Sequence, residues 1–314
     1  MSKSDTKLLQ KKKKWTSSQW TLFIMAMLGV AFLLVFSYAP MYGIVLAFKK
    51  GDYVIDIKKA IFQSDWIGLE NFKKFLVDPQ FFNVVINTLC LNLLSLLISF
   101  PAPIIFALLI NEVRGKAFKK TVQTISYFPH FLSWIVFGGI VLNIINPQTG
   151  ILNDILMKLG VIDQAIDLGR SEYTWGVLIV TALVKGVGWS SVIYLAAIAG
   201  IDTSMYEAAD IDGAGRFSKM LFITLPSILP TIAVFLILSV SNLLNSGFEQ
   251  IYVFQNQINL DKSEVIDTFV YKYGVLNKRY SYTTAIGLVK SVISLILLLL
   301  ANFASKKITG KGIY

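Results

Sequence analysis

The sequence predicts an all-α integral membrane protein with six transmembrane helices, and three observations lead to that class. The 314 residues are 55% hydrophobic and only 15% charged, and the mean hydropathy is +0.63. A soluble domain of this composition would expose too much apolar surface to water. The apolar residues form six blocks, each reaching the roughly 20 residues that a helix needs to cross a bilayer. Basic residues cluster at the block edges, as they do in membrane proteins. The blocks are 21–48, 83–111, 121–145, 174–200, 222–247 and 283–305.

The first block is interpreted as an uncleaved membrane anchor. It follows a lysine run, but its apolar stretch from Leu22 continues beyond the roughly 7–15 residues typical of a signal peptide. Ala39 is the small residue placed to mark a cleavage site, and Pro40 follows it directly. We therefore expect the first block to stay attached and to cross the membrane.

The basic residues also orient the blocks. Lys and Arg are denser in the short segments on one side than in the longer loops on the other, so the positive-inside rule places both termini in the cytoplasm. The chain is accordingly divided into a basic cytoplasmic leader at 1–20, a six-helix transmembrane domain at 21–305 and a cytoplasmic tail at 306–314.

The composition excludes several classes of function. Cys90 and His130 are the single cysteine and histidine, so neither a disulfide framework nor a metal site is predicted. The acidic residues are scattered, which gives no paired carboxylates or nucleophile–base set, and no catalytic residue is predicted. The net charge of +10 lies at block edges. That position is typical of topology signals and contacts with the lipid bilayer, and no nucleic-acid partner is predicted.

The loop between the fourth and fifth blocks, 202–226, is predicted to contain a short helix. Asp202 or Ser204 can serve as its N-cap, and with Ser204 there, Glu207 completes a capping box. Gly213 and Gly215 are natural places for the helix to end, and a positive φ is expected at Gly213. The small residues would let another protein approach closely, and Glu207 offers it a carboxylate. Local chemistry alone equally allows a helix that merely closes a turn.

The spacing of this loop matches a known signature. Glu-Ala-Ala, three residues, Gly, nine residues and Ile-x-Leu-Pro resembles the EAA motif of the membrane subunits of binding-protein-dependent ABC importers. "WIGLENF", "YFPHFLSW" and "NLLNSGFEQIY" are similar to the sugar-permease branch, in particular to importers of oligosaccharides and polysaccharide fragments. Thr203 stands where family members often have proline. The residues assigned by resemblance to coupling with an ATPase are Glu207, Ala208, Ala209, Asp212, Gly213, Ile223, Leu225 and Pro226.

The resemblance implies a mechanism and a set of partners. This chain and a second homologous permease would form a pore as a heterodimer in a bacterial-type cytoplasmic membrane. Two cytoplasmic ATPase subunits would bind ATP and Mg, and an extracytoplasmic binding protein would deliver the sugar. The loop would form a coupling helix seated in an ATPase groove. The chain has no P-loop motif of its own, so it is predicted to bind no cofactor and to have no enzymatic activity.

Five residues are candidates for the substrate pathway. Lys185 lies near the middle of the fourth block, with Trp189 one turn later on the same face. A lysine at that depth costs about 2.5–3.5 kcal/mol, so it should face a cavity or a partner. It can line the pathway, or form an ion pair or carbonyl contact with the sister subunit. Asn242, Asn245 and Glu249 recur at helical spacing. They can line the pathway or join helices through hydrogen bonds.

Two further residues have structural interpretations, and one rival function stays open. Lys290 could reach Glu249, although a buried structural pair is the preferred interpretation. His130 follows Pro129, where a kink is expected, and is interpreted as a hydrogen-bonded structural residue rather than a proton relay.

The alternative function is an ion-coupled secondary sugar transporter. It would need an intramembrane acidic group and often two repeat halves, and the sequence displays neither.

Overall fold

The computed structural model describes residues 15–53 and 56–309. Most of the predicted leader and part of the tail therefore lie outside the described residues. The described chain is nearly all helical. The α-helices are α1 Ser17–Leu33, α2 Ala39–Met41, α3 Ile57–Gln63, α4 Glu70–Leu76, α5 Pro79–Ile98, α6 Pro101–Glu112, α7 Lys116–Tyr127, α8 Trp134–Ile144, α9 Ile151–Lys158, α10 Thr174–Ala199, α11 Thr203–Ile211, α12 Arg216–Lys219, α13 Leu225–Ser241, α14 Phe248–Phe254, α15 Leu260–Ser263, α16 Ile266–Val270 and α17 Tyr280–Thr309.

Side-chain caps explain where several of these helices begin. A capping side chain accepts a hydrogen bond from one of the backbone N–H groups that the first turn of a helix leaves unpaired. The residues that do so are Thr16, Asp56, Asp78, Ser133 and Asp202. The local sequence therefore determines these starting points.

Five helical segments are long and apolar enough to cross a membrane. They are Ser17–Phe48, Pro79–Glu112, Ser171–Ala199, Arg216–Ser241 and Tyr280–Lys307. They correspond to the first, second, fourth, fifth and sixth predicted blocks. Several include short π or 3-10 turns between α-helices, such as the π turn Met220–Thr224 before α13.

The third predicted block, 121–145, is not one straight span. Lys116–Phe131 and Trp134–Ile144 meet at an angle of 106°, so the count reaches six spans only if this bent pair is taken as one. Pro129 has no N–H to continue the helical ladder, and Ser133 is extended and caps α8. The kink expected at Pro129 is confirmed.

The fifth span ends earlier than predicted. α13 stops at Ser241, Asn242 is its C-cap, and the chain turns through 242–247 before α14 begins at Phe248. Gly247 makes this turn with a φ of +56°, a value that glycine adopts without strain. Asn242, Asn245 and Glu249 therefore do not share one helix face, because the helix that would align them ends first.

Two packed regions hold the membrane domain together. At one end of the domain, the segment around α4 packs against α16 and α17, and Asp52 accepts hydrogen bonds from the first turn of α17 at Ser281 and Tyr282. On the other side, α6, α10 and α13 share an apolar cluster that includes Tyr194 and Ile228. The cavity described next lies between these two regions.

α1 stands apart from both packed regions. It is described throughout, yet none of its residues is buried against the rest of the chain. Its apolar surface therefore faces outward along its whole length.

Candidate functional site

A cavity of about 400 Å³ lies between the junction of α5 with α6, the middle of α10 and the end of α13. Among the described residues that line it, none is charged. Amides and hydroxyls supply the polarity, from Asn92, Ser95, Ser99, Ser190, Ser239, Asn242 and Asn245. Trp189, Tyr194 and Phe235 supply aromatic surface. Neutral hydrogen-bonding groups beside aromatic rings suit a ligand that is rich in hydroxyls and has apolar faces.

A second cavity of about 210 Å³ continues from the first. Asn92, Ser95 and Asn245 line both of them, and Gln250 belongs to the second. Gln250 donates to the carbonyl oxygen of Leu178 at 2.6 Å, which joins α14 to α10 beside the second cavity. The two cavities together form one polar path alongside α10.

The turn 242–247 is held from two sides. The side-chain amide of Asn92 on α5 donates to the carbonyl of Leu243 at 2.9 Å and to Ser246 Oγ at 2.7 Å. Asp267 accepts the backbone N–H of Ser246 at 2.9 Å and also pairs with Lys290. Asn245 is carried on this turn, so these contacts fix its position against the path.

The predictions from sequence missed Asn92 and Asp267. Asn92 did leave a signal, since it is a polar residue in the middle of the second apolar block. Asp267 left none. It precedes the sixth block, and its partners become visible only when α16 packs against α17.

The contact suggested between Lys290 and Glu249 is wrong. Lys290 pairs with Asp267, and the two side chains are 15% and 25% exposed. The preferred interpretation, a structural pair, is confirmed with a different partner. Glu249 is an exposed residue of α14 and lines neither of the two cavities.

Trp189, in the wall of the larger cavity, belongs to an aromatic cluster. The ring of His130 stacks on Trp189 with centroids 4.7 Å apart and planes at 7°, and Phe131 meets the same indole edge-on at 5.5 Å. Trp189 keeps 45% of its surface exposed. The structure gives the His130 ring a stacking contact with Trp189, a residue of the cavity wall, in place of the hydrogen bond predicted for it.

Lys185 is buried and does not line the cavity. Its ammonium donates to the carbonyl oxygens of Pro129, His130 and Leu132 at 3.1, 2.9 and 2.6 Å. An ammonium has three donors, and these contacts use all three. The three carbonyls lie at the break in the third block, and that of Pro129 also accepts the backbone N–H of Leu132 at 3.3 Å. The structure thus places Lys185 in carbonyl contacts within its own chain, rather than with a sister subunit or the cavity.

Besides the contacts of Lys185, the small size of Gly188 allows α7 to approach α10 closely. A Cβ atom on this residue would lie 2.2 Å from the carbonyl oxygen of Ser126. Glycine is therefore required here, one turn beyond Lys185, for the broken block to rest against α10.

The predicted loop helix is present as α11, and Asp202 is its N-cap. The Asp202 carboxylate accepts the backbone N–H of Ser204 at 3.0 Å. This bond, together with the Ser204 hydroxyl, holds the pKa of the Asp202 carboxyl below its usual value. The alternative cap at Ser204 with a capping box to Glu207 is wrong, because the helix already begins at Thr203.

The end of α11 follows the glycine prediction at Gly213. Gly213 has a φ of +74°, and Ala214 N–H donates to the carbonyl of Ala209 at 2.8 Å, a Schellman ending. Asp212 is the C-cap. Gly215 does not end this helix; it is extended and precedes α12.

The remaining loop residues occupy two places. Glu207 and Ala208 are exposed on α11, and Ala209 is half-buried. Ile223, Leu225 and Pro226 lie at the foot of the fifth span, with Ile223 inside the π turn. The two halves of the motif thus belong to two elements that face each other across the loop.

The family profile of the inner membrane component of binding-protein-dependent transport systems matches residues 99–310, which include the loop and most of the residues that line the larger cavity. The chain belongs to this family. It is a permease subunit, an integral membrane part of a transport system that works with a separate binding protein. Membership in this family favours such a transporter over the ion-coupled alternative.

Curated relatives and solved structures extend the likeness over nearly the whole permease. Protein LplB of Bacillus subtilis is 40% identical and matches 97% of this chain and 92% of its own length. The polygalacturonan/rhamnogalacturonan transport system permease protein YteP of the same organism is 41% identical over 93% and 90%. A crystal structure of a bacterial ABC transporter that imports the acidic polysaccharide alginate matches with a TM-score of 0.84. It shows 37% identity and covers 93% of this chain and 97% of its own.

The same transporter with an alginate pentasaccharide-bound periplasmic protein matches with a TM-score of 0.85 and 37% identity, over 94% of this chain and 97% of its own. The six-helix membrane fold is thereby confirmed. A multi-pass membrane location follows from the family.

Proposed function

We propose that this permease moves an oligosaccharide or polysaccharide fragment through the cytoplasmic membrane in an ATP-driven importer. The observation that carries the proposal is the uncharged path of amides, hydroxyls and Trp189 along α10. Sugar hydroxyls are recognised by such donors and acceptors, and the apolar faces of sugar rings stack on indole. The likeness to an alginate importer and to a polygalacturonan/rhamnogalacturonan transport permease supports a saccharide of several units.

Trp189, Asn242 and Asn245 are the residues that we assign to cargo contact. Asn242 and Asn245 are exposed to the cavity and joined by a hydrogen bond of 2.9 Å from Asn245 Nδ2 to Asn242 Oδ1. Each asparagine side chain has more hydrogen-bonding capacity than this one bond uses. Lys185 and Glu249 are left out of the assignment because neither lines the path.

The proposal covers both acidic and neutral saccharides as cargo. Alginate is named as acidic in the related transporter, and polygalacturonan is a polymer of an acidic sugar. Neutral amides can donate to carboxylates as well as to hydroxyls, so the lining is compatible with both kinds of chain.

The energy is proposed to reach the permease through α11. Glu207 and Ile211 lie on its outward side, and Ile211 is 88% exposed. An exposed apolar residue beside a carboxylate suits a groove with an apolar floor and a basic wall. The proposed partners are two cytoplasmic ATPase subunits that carry ATP and Mg, because the sequence has no P-loop. A second homologous permease completes the pore, and both termini lie in the cytoplasm.

The test is purification of the tagged permease from its native membrane in mild detergent, followed by identification of the copurified proteins. The proposal expects an ATPase with a P-loop, a second six-helix permease, and saturable binding or uptake of an oligosaccharide in reconstituted vesicles. Glu207→Ala should release the ATPase while leaving the permease inserted. Recovery of the chain alone, with solute movement driven by an ion gradient, would refute the proposal.

A further inference from the structure

α11 is held loosely against the membrane domain. Its nine residues, all within the described range, include no buried one. A cleft of about 330 Å³ separates its first turn from the ends of α6, α7 and α10. Apolar packing therefore contributes little to the position of α11, and side-chain contacts decide what moves with it.

Two side chains of α11 reach the foot of the fifth span. The hydroxyl of Tyr206 lies 2.8 Å from Oγ1 of Thr224. Thr224 is 1% exposed and is the last residue of the π turn. One turn along α11, Asp210 accepts a hydrogen bond from Lys219 at 2.5 Å, and Lys219 is the last residue before that π turn.

A neighbouring contact extends the bond between Tyr206 and Thr224. Thr224 Oγ1 also lies 3.4 Å from the carbonyl oxygen of Lys219, a group that can only accept. Either hydroxyl can donate in the contact between Tyr206 and Thr224. Tyr206, Thr224 and Lys219 thus form one chain of hydrogen bonds, which Asp210 closes back onto α11.

Tyr206 and Asp210 are four residues apart and lie on one helix face, whereas Glu207 is turned about 100° from Tyr206. α11 thus has separate faces for the membrane domain and for a cytoplasmic partner. A π turn is a local irregularity that often marks functional positions, and Pro226 just after it supplies no N–H to brace the helix. α11 is consequently joined to the fifth span at a point where the backbone of that span can bend.

We propose that Tyr206 is a positioning residue that transmits the movement of α11 to the fifth span through Thr224. The inference rests on the proposed function, because it requires an ATPase that moves α11. The Tyr206–Thr224 bond makes α11 and the foot of α13 move together, and the exposed Asp210–Lys219 pair limits rotation between them. Without the bond, ATP would still be hydrolysed, but fewer sugars would be imported for each ATP.

The experiment compares Tyr206→Phe with wild type in the complete reconstituted transporter. ATP hydrolysis and sugar uptake are measured in the same vesicles, and ATPase retention is measured separately. Tyr206→Phe removes only the hydroxyl and should keep the ATPase bound. It should lower sugars imported per ATP by about threefold to tenfold, the factor that an ordinary hydrogen bond represents in an equilibrium.

Thr224→Val is the variant at the other end of the bond and should reproduce this uncoupling. The double variant should be no worse than either single one, because both remove the same contact. Ser227→Ala is the matched control, since Ser227 donates to Ile223 within its own helix at 2.7 Å and should leave the ratio unchanged. Additive effects, an unchanged ratio in Tyr206→Phe, or loss of the ATPase from that variant would each overturn the inference.

The wild-type arm separates the two proposals. If the wild-type complex contains no ATPase, the proposed function fails and this inference fails with it. If the wild-type complex couples ATP to uptake and Tyr206→Phe couples equally well, only the inference fails.

Discussion

The ammonium nitrogen of Lys185 lies 2.6 Å from the carbonyl oxygen of Leu132, at the point where the third predicted block breaks. The Lys185 ammonium donates hydrogen bonds to backbone carbonyls at this break. It also lies 5.2 Å from the ring centroid of Trp134, which shields the charge from lipid. Lys185, for which the sequence left a pathway role and a carbonyl contact open, is thus part of the scaffold that holds His130 against Trp189.

Lys185→Met should destabilise the permease without changing its cargo preference. It removes the ammonium donor from the carbonyls of three residues. Losing even one bond to a charged group costs about 1.5–3 kcal/mol. Thermal unfolding of the purified chain in detergent checks this, with Lys158→Met at an exposed position as the control. Wild-type stability combined with an altered cargo preference would instead make Lys185 a pathway residue.

Alanine substitutions at Gly188 and Gly186 should change the stability of the permease in opposite directions. Gly188→Ala would press a methyl group against the carbonyl of Ser126 and cost about 1–3 kcal/mol, as overpacking does. An added Cβ at Gly186 meets no atom within 4 Å, and alanine favours a helix over glycine by about 1 kcal/mol. The same melting experiment measures both. Equal melting temperatures would contradict the close contact between α7 and α10.

Asn245→Ala should reduce uptake while the transporter stays assembled. Asn245 lines both cavities, and one hydrogen bond to the cargo is worth about 1 kcal/mol, or roughly fivefold in affinity. Concentration-dependent uptake in vesicles should show a raised half-saturation value. Ser241→Ala is the control, since Ser241 donates to Leu238 and lines neither cavity. An equal effect of both substitutions would place the cargo elsewhere.

Asp267 and Lys290 should behave as a coupled pair. Lys290→Met leaves the Asp267 carboxylate partly buried without its cation, which typically costs about 3–5 kcal/mol. The double variant Asp267→Asn with Lys290→Met removes both charges and should be more stable than Lys290→Met alone. Because Asp267 also accepts the N–H of Ser246, uptake should follow the same order. Additive losses in stability would show that the two residues act separately.

Gly213→Val should impair transport more than insertion into the membrane. Valine at a φ of +74° is strained by about 1–2 kcal/mol, so the end of α11 would be displaced. Gly215→Val is the matched control, because Gly215 has a φ of −71° and no atom within 4 Å of an added Cβ. Wild-type uptake by Gly213→Val would refute the requirement for this ending.

The loop at 202–226 shows how much of the structure could be predicted from the sequence. The helix between the fourth and fifth spans and the positive φ at Gly213 were predicted, and Asp202 was one of the two caps considered, because caps and glycine endings act within a few residues. Trp189, Asn242 and Asn245 line the cavity, and their contact with a substrate stays a prediction. The single helix face expected for the two asparagines and Glu249 is wrong, because α13 ends at Ser241.

The sequence by itself determined the membrane class, the apolar blocks and the loop signature, since each depends on composition or on neighbours along the chain. Only the tertiary structure decided which polar groups meet. Lys185 and Leu132 are 53 residues apart in the sequence, and Asn92 and Leu243 are 151 apart. Inside a membrane a polar side chain must find a partner. Many partners are compatible with the same sequence pattern, and the packing of distant helices selects one of them.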